Sequence, residues 1–340
     1  MIYYKDLKDL VFGMHEKIGI KNIDGITIVS GYVGFEPIEE LGNLPHEIHA
    51  KVVYGMYGQD KISRQVHEAL VELQGELPNV EILYSTIPVH SKLYGWTDKE
   101  TIKRALIGSA NFSVSGLCNN YKETLCDISE SAYLQLSHYF DIVLGRCIPC
   151  TSKLVRLRRG KARKNIAEDD DILIAENICR MSLLDRSGHV HAKSGLNWGV
   201  KGLLREAHTS QGDAYIAITK KMIRTFPEMF PPKKYIELEN AENLGRANRQ
   251  NDEVELVWDD GTRMRGLLEG TQDVDGVLYP KQISSSPSKN IIGHYLRKRI
   301  GVLNNGDDYR VTNADLEKYG RMSVDVSLLG EGIYYMDFSV

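Results

Sequence analysis

The chain has 340 residues, 42% hydrophobic and 26% charged, a globular balance with length for two buried cores. With 42 Lys+Arg against 46 Asp+Glu the net charge is -4, so any polyanion site has to be a local concentration of charge. No segment has the basic start and apolar run of a signal peptide, and none reaches the ~18 apolar residues of a membrane span, which points to the cytoplasm and away from a membrane partner.

In chain order, Ile26 to Val33 (ITIVSGYV) is an apolar, β-branched run and predicts a buried strand, as does Ile48 to Met56. Val66, Ala69, Leu70 and Leu73 fall at helical spacing and predict a helix over 62–73. Val80 to Tyr84 is a short strand. His90 to Trp96 and Ile102 to Ile107 predict two strands joined by a polar turn over 97–100, and Thr124 to Ile128 another. Ser131 is placed to cap a helix running to Leu144. Strands alternating with helices indicate an α/β layer fold over residues 1–150. The five cysteines suit reduced thiols, and Cys147 with Cys150 forms a lone CxxC without the further ligands of a structural zinc site.

Composition then shifts. Lys153 to Lys164 holds seven basic residues, and Glu168 to Asp171 is wholly acidic, the pattern of an exposed linker over 151–175. From 176 to 340 the strand-like runs are short: Ala214 to Thr219, Tyr235 to Glu239, Val254 to Trp258, Gly301 to Leu303 and Val324 to Leu328. Asp260-Gly261 and Asn305-Gly306 are turn signals, and the whole predicts a β-rich barrel or sandwich.

The chemistry-bearing pattern is His90-Ser-Lys92, then Gly108-Ser109-Ala-Asn111-Phe-Ser113, then Glu123 before a strand. Residues two apart on a strand share a face, so His90 and Lys92 point together. A neutral imidazole can attack phosphorus and a charged one can protonate a leaving oxygen. An ammonium and an amide can stabilise charge on non-bridging phosphate oxygens, and a carboxylate on the second ring nitrogen would orient the histidine. No carboxylate cluster at metal spacing accompanies them, so no metal or other cofactor is expected and the protein itself must supply the positive charge.

These residues resemble the phospholipase D superfamily, whose signature is HxK followed by GSxN and an acidic residue. The aspartate that often stands five positions after the lysine is replaced here by Thr97, with Asp98 next to it. The resemblance implies His90, Lys92, Asn111 and Glu123 as catalytic residues, with Ser109 and Ser113 beside them. It also implies a site built from two facing HxK motifs. His191-Ala-Lys193 is formally another HxK but lacks a following GSxN, so a homodimer is expected to assemble the site.

The substrate is read from the second half. Arg186, Ser187, His189, His191, Lys193, Ser194, Asn197 and Trp198 concentrate base-reading residue types in one Gly-containing loop. Lys281, Gln282, Lys289 and Asn290 form a second cluster, followed by His294 and Arg297-Lys298-Arg299 as phosphate contacts. Double-stranded DNA is therefore the expected substrate, with a lipid phosphodiester as the alternative. The whole chain resembles the NgoFVII/NgoAVII group of type II restriction endonucleases. That resemblance implies a mixed sheet flanked by helices followed by a B3-like pseudobarrel with two DNA arms, the first over 186–198 and the second around Gln272, Asp273, Lys281 and Gln282. It also implies a companion methyltransferase and, in some relatives, a separate ATP-dependent subunit; no P-loop pattern occurs in this chain.

Overall fold

The computed structural model describes residues 1–19, 23–158, 173–175, 178–200, 209–233, 251–306 and 308–340. They group into two units, Met1–Lys161 with Gly330–Gly332 and Ala162–Leu329 with Ile333–Val340.

Unit 1 begins with β1 (Ile2–Tyr3), α1 (Leu7–Phe12), α2 (Met14–Ile18), β2 (Gly25–Ser30), α3 (Phe35–Leu41), β3 (His49–Tyr54), α4 (Tyr57–Asp60) and α5 (Arg64–Glu76). It continues with β4 (Val80–Ser85), β5 (Leu93–Asp98), β6 (Thr101–Gly108), α6 (Val114–Leu117), β7 (Leu125–Asp127), α7 (Tyr133–Leu144) and β8 (Cys147–Pro149). One mixed sheet runs in the order β1-β7-β6-β5-β2-β3-β4-β8. Its β2, β3 and β4 are parallel, and the other pairs are antiparallel. Successive residues are buried along much of β2, β4 and β5 because both faces of the sheet are covered there. Val29, Val53, Leu83, Leu93 and Ala105 pack with Leu136, Phe140 and Val143 of α7. The alternate residues Ile28, Val52, Ile82, Tyr94 and Leu106 are fully buried as well. Each such aliphatic side chain contributes about 1.5–3 kcal/mol through burial.

Three details depart from the sequence expectation. The first hairpin turn is only Lys99-Glu100, both left-handed at φ 47° and 67°, the geometry of a two-residue hairpin without its usual Asn-Gly signature. Strand β5 starts at Leu93, so His90 and Lys92 precede it. Helix α7 starts at Tyr133 after a 3-10 turn, and Ser131 caps nothing; its hydroxyl pairs with Ser129.

Unit 2 comprises β9 (Leu173–Ala175), β10 (Ile178–Ser182), β11 (Ile216–Ala217), α8 (Lys220–Thr225), β12 (Asp252–Trp258), β13 (Arg263–Glu269), β14 (Gln272–Val274) and β15 (Val277–Tyr279). It ends with β16 (Gln282–Ser285), α9 (Asn290–Ile300), α10 (Asn313–Tyr319), β17 (Ser323–Gly330) and β18 (Ile333–Asp337). Its main sheet runs β11-β16-β13-β12-β18-β17-β10-β9, and β10 also lies against β11, so the sheet curls into a pseudobarrel. Leu256, Trp258, Leu268, Ile283, Val326, Tyr334 and Met336 fill it together with Ile292 and Leu296 of α9. The residues expected as a strand at 301–303 instead end α9: Gly301 is its left-handed C-cap, followed by a 3-10 turn at Leu303–Asn305. The expected strand at 235–239 and linker residues 159–172 lie outside the described residues.

Arg299 ties this unit together. Its guanidinium donates to both Asp259 oxygens (3.1 and 2.8 Å), to the Tyr295 and Tyr319 hydroxyls and to the Phe338 carbonyl. The expectation that Arg299 contacts phosphate fails for that reason. Arg297 fails likewise: it is 6% exposed and donates to the Tyr309 and Leu196 carbonyls. Lys298 and His294 remain exposed on the same helix. Among the described residues no helix is long and apolar enough to cross a membrane.

Candidate active site

The register Val29↔Leu93↔Ile107 brings the C-terminal ends of β2 and β6 and the start of β5 to one sheet edge. Ligand sites in open α/β sheets lie at such edges. His90 and Lys92 occupy the extended segment leading into β5, held by Val89 N to Gly55 O (3.0 Å) and Gly108 N to Lys92 O (3.2 Å). Extended backbone preserves the two-residue alternation, and the side chains converge as expected. Lys92 Nζ lies 3.0 Å from His90 Nδ1 and 3.1 Å from Nε2, and donates to the His90 carbonyl at 2.8 Å. His90 is exposed and Lys92 only 7% exposed. An ammonium donates only to an unprotonated ring nitrogen, so at most one nitrogen of the ring accepts from Lys92 at a time. Burial pulls the Lys92 ammonium below the usual lysine range, and the nearby carboxylates of Glu331 and Glu123 oppose that shift.

Asn111 is 4% exposed and its amide is fixed from behind. Its Oδ1 accepts from Tyr32 N (3.2 Å) and sits 3.2 Å from the Ser30 hydroxyl, which itself accepts from Phe112 N at 2.9 Å. The Tyr94 hydroxyl donates to the Ala110 carbonyl at 2.8 Å and holds the preceding residue. Nδ2 therefore faces outward, where it donates to the carboxylate of Glu331, one of the three residues 330–332 that group with this unit. An oxyanion thus already sits where this amide donates.

Ser30, Gly31 and Tyr32 were not among the residues expected at the site. They read as the interior of the ITIVSGYV strand, whereas β2 ends at Ser30. A Cβ on Gly31 would stand 2.8 Å from His90 Cδ2 and 3.4 Å from Asn111 Oδ1, so only glycine lets both side chains close over this backbone. The small-residue pair at the end of a buried parallel strand was the available signal. Gly108 serves a similar need: a Cβ there would fall 1.9 Å from the Thr124 carbonyl.

Ser109 and Ser113 act on the backbone. Ser109 Oγ accepts from Thr124 N (3.1 Å), anchoring the residue after Glu123. Ser113 caps α6 by accepting from Gly116 N (3.2 Å). Among the described residues no hydrogen bond ties Glu123 to His90. Lys92 Nζ lies against the ring, 3.0 and 3.1 Å from its two nitrogens, and Glu123 acts on Lys92 through its field. The described residues contain no group of three or more His, Cys, Asp or Glu placed to hold a metal ion. Cys147 and Cys150 are free thiols, pushed by burial up to about 12 and about 11.

In unit 2 the loop after β10 is pinned from within. Asp185 accepts from the Ser187 and His189 amides, and Asn313 holds Val190 N and the Gly188 carbonyl. Arg186, Ser187, His189, His191 and Lys193 stand exposed on it, with Ser194 half-buried at its base. Trp198 is half-buried, edge-on to Tyr215 and under the Lys289 ammonium at 4.6 Å. Three residues expected to read bases are committed inside the fold. Asn197 is 1% exposed, its amide spent on Val311 N, Val311 O and His191 O. Gln272 donates to the Ile218 and Pro280 carbonyls, and buried Gln282 to Glu269. Asp273 and Lys281 are exposed.

Two outcomes follow from this packing. Gly31→Ala forces the His90 ring aside and lowers cleavage about 100-fold with the unfolding midpoint unchanged; near-parental activity in a plasmid assay contradicts the packing. Asn197→Ala lowers the stability of unit 2 by about 3 kcal/mol in denaturant titration and leaves the cleaved sequence as it was. An altered cleavage sequence at unchanged stability places Asn197 on DNA instead.

Residues 5–157 match the family model of the NgoFVII restriction endonuclease N-terminal PLD (phospholipase D) domain. Residues 173–329 match that of the NgoFVII C-terminal B3-like DNA-binding domain. No curated protein matches the chain. Among solved structures it is similar to NucT from Helicobacter pylori, at 16% identity and TM-score 0.32, over 44% of this chain and 97% of that one. It is also similar to polyphosphate kinase from Porphyromonas gingivalis, at 16% identity and TM-score 0.32, over 47% of this chain and 27% of that one. With a phospholipase D-like sheet carrying the His90 edge and a B3-like pseudobarrel behind it in sequence, the chain belongs to the NgoFVII family of restriction endonucleases, site-specific deoxyribonucleases.

Proposed function

We propose that this chain hydrolyses double-stranded DNA as a type II restriction endonuclease, through a phosphohistidine intermediate, without a metal, in a site shared by two copies. The observation that carries the reading is the convergence of Lys92 Nζ on the His90 ring beside the outward amide of Asn111. A nucleophile flanked by a buried cation and an amide donor meets the electrostatic demand of an attacked phosphodiester.

A ring nitrogen of His90 in one copy attacks phosphorus. The P–N bond forms, the P–O bond to the leaving strand breaks, and the departing oxygen takes a proton from the imidazolium of His90 in the second copy. Water then attacks phosphorus and gives its proton to that second histidine, and the P–N bond breaks. A phosphate drawing Lys92 toward its oxygens frees the ring nitrogens, and Glu123 then orients the ring. Two copies are needed because none of the other HxK runs, at His15, His49 and His191, is followed by the Gly-Ser-x-Asn that follows Lys92, and His191 and Lys193 stand on an exposed loop of the DNA-binding unit. That loop, with Arg186, Ser187, His189, His191 and Lys193 outward, serves as one DNA arm; Asp273 and Lys281 belong to the other. A methyltransferase that protects host DNA and a separate ATP-dependent subunit are the proposed system partners, in the cytoplasm.

Sequencing the ends of plasmid DNA incubated with excess EDTA tests this reading. Double-strand breaks at one fixed sequence are expected, abolished in His90→Ala while that variant still shifts the same duplex. Cleavage that stops in EDTA and returns with added magnesium overturns it.

A further inference from the structure

The basic run after the catalytic sheet was expected to be plain linker. Its first part is instead strapped onto unit 1. Arg156 N donates to the Tyr57 hydroxyl at 2.6 Å, Arg158 N to the Ile62 carbonyl at 2.7 Å, and Leu157 bridges Ile62 in parallel. Arg158 Nε also reaches the Asp60 carbonyl at 3.3 Å. The Asp60 carboxylate accepts from the Tyr32 hydroxyl at 3.0 Å, and the Tyr32 ring stands edge-on to His90 with centroids 6.0 Å apart. Arg158 is therefore joined to the His90 edge through two residues, the Asp60 carbonyl and carboxylate and the Tyr32 side chain.

The two arginine heads differ from the others around them. Arg104 pairs with Asp127, and Arg64 with Glu68. Lys61 is turned onto the Tyr57 and Gly58 carbonyls. Arg156 and Arg158 are exposed, and among the described residues no carboxylate holds either guanidinium. Backbone fixed by two hydrogen bonds beneath exposed guanidinium heads that no carboxylate among the described residues holds is the arrangement of a preorganised phosphate contact.

We propose that Arg156 and Arg158 receive backbone phosphates flanking the scissile one, so that the nuclease unit grips DNA itself, along a path that leaves His90 past Tyr32 and Asp60. This rests on the reading of His90 as the nucleophile. Such contacts act equally in ground and transition states, so they set the affinity for DNA rather than the rate at saturation. They carry no base information, so the cleaved sequence does not depend on them.

The test compares the full-length parent with Arg156→Gln, Arg158→Gln and the double variant, measuring plasmid cleavage against DNA and salt concentration. The double variant is expected to raise KM, to keep the saturated rate and the cleaved sequence, and to flatten the salt dependence by about one unit of slope per arginine. Arg156→Gln serves as the folding-safe variant, since its side chain takes part in none of the bonds that hold the strap. An unchanged salt slope overturns the proposal. So does a fall in saturated rate at unchanged slope, which is what a merely structural strap produces. His90→Ala in the same assay separates the readings: retained cleavage there overturns the site, whereas an unchanged slope in the arginine variants overturns the strap alone.

Discussion

An ammonium 3.0 Å from an imidazole, at the strand ends of the mixed sheet, is the contact around which unit 1 is organised. Burying a lysine head opposes its charge, and the His90 carbonyl and ring nitrogens compensate only because the segment before β5 is held extended between Gly55 and Gly108. That demands glycine where Gly108 meets the Thr124 carbonyl and where Gly31 meets His90. It also demands a buried hydroxyl, Ser30, to turn the Asn111 amide outward. The close approach of three strand ends is thus dictated by the need to focus positive charge on one exposed ring. The same need leaves Glu123 without a direct hold on His90 in a single chain.

Much of the chemistry was legible because its residues are close in sequence. His90 and Lys92 are two apart, and Gly108 to Asn111 is a contiguous run, so alternation and spacing alone place them together. Ser30, Gly31 and Tyr32 lie some way upstream inside an apolar run and betray their role only when the sheet register brings β2 beside β5. Parallel strands β2, β3 and β4 were readable from the apolar residues that dominate them, such as Ile26, Ile28 and Val29, Val52 and Val53, and Ile82 and Leu83. Helix α9 was not, because its apolar stripe of Ile292, Leu296 and Ile300 is interrupted by Arg297, Lys298 and Arg299, which look like a phosphate-binding run. Burial decides what such residues do. The guanidinium of Arg297 and the amides of Asn197, Gln272 and Gln282 have the right chemistry for DNA, but they spend it on backbone carbonyls and an internal carboxylate. Residue type cannot distinguish a base edge from a buried peptide group as the partner.

The two units therefore divide the work by how their polar groups are committed. In the pseudobarrel, buried amides and arginines fix the scaffold, and the residues exposed on the loop from Arg186 to Lys193 are the proposed DNA contacts. In the nuclease unit, buried Lys92 and Asn111 keep donors aimed at the edge, and the Arg156–Arg158 strap leaves cations beside it. A charged run that composition marks as linker thus acquires a proposed second role through two backbone hydrogen bonds.

The central claim is that one chemical event needs the His90 of two copies. Co-expressing differently tagged parent and His90→Ala chains, and isolating the mixed pair by both tags, gives a species with a single His90. If each copy supplies one of the two histidines, that mixed pair cleaves plasmid DNA no faster than the His90→Ala homodimer, although it binds the same duplex. A mixed pair that retains half of the parental cleavage rate contradicts the shared site and places a complete active centre within each chain.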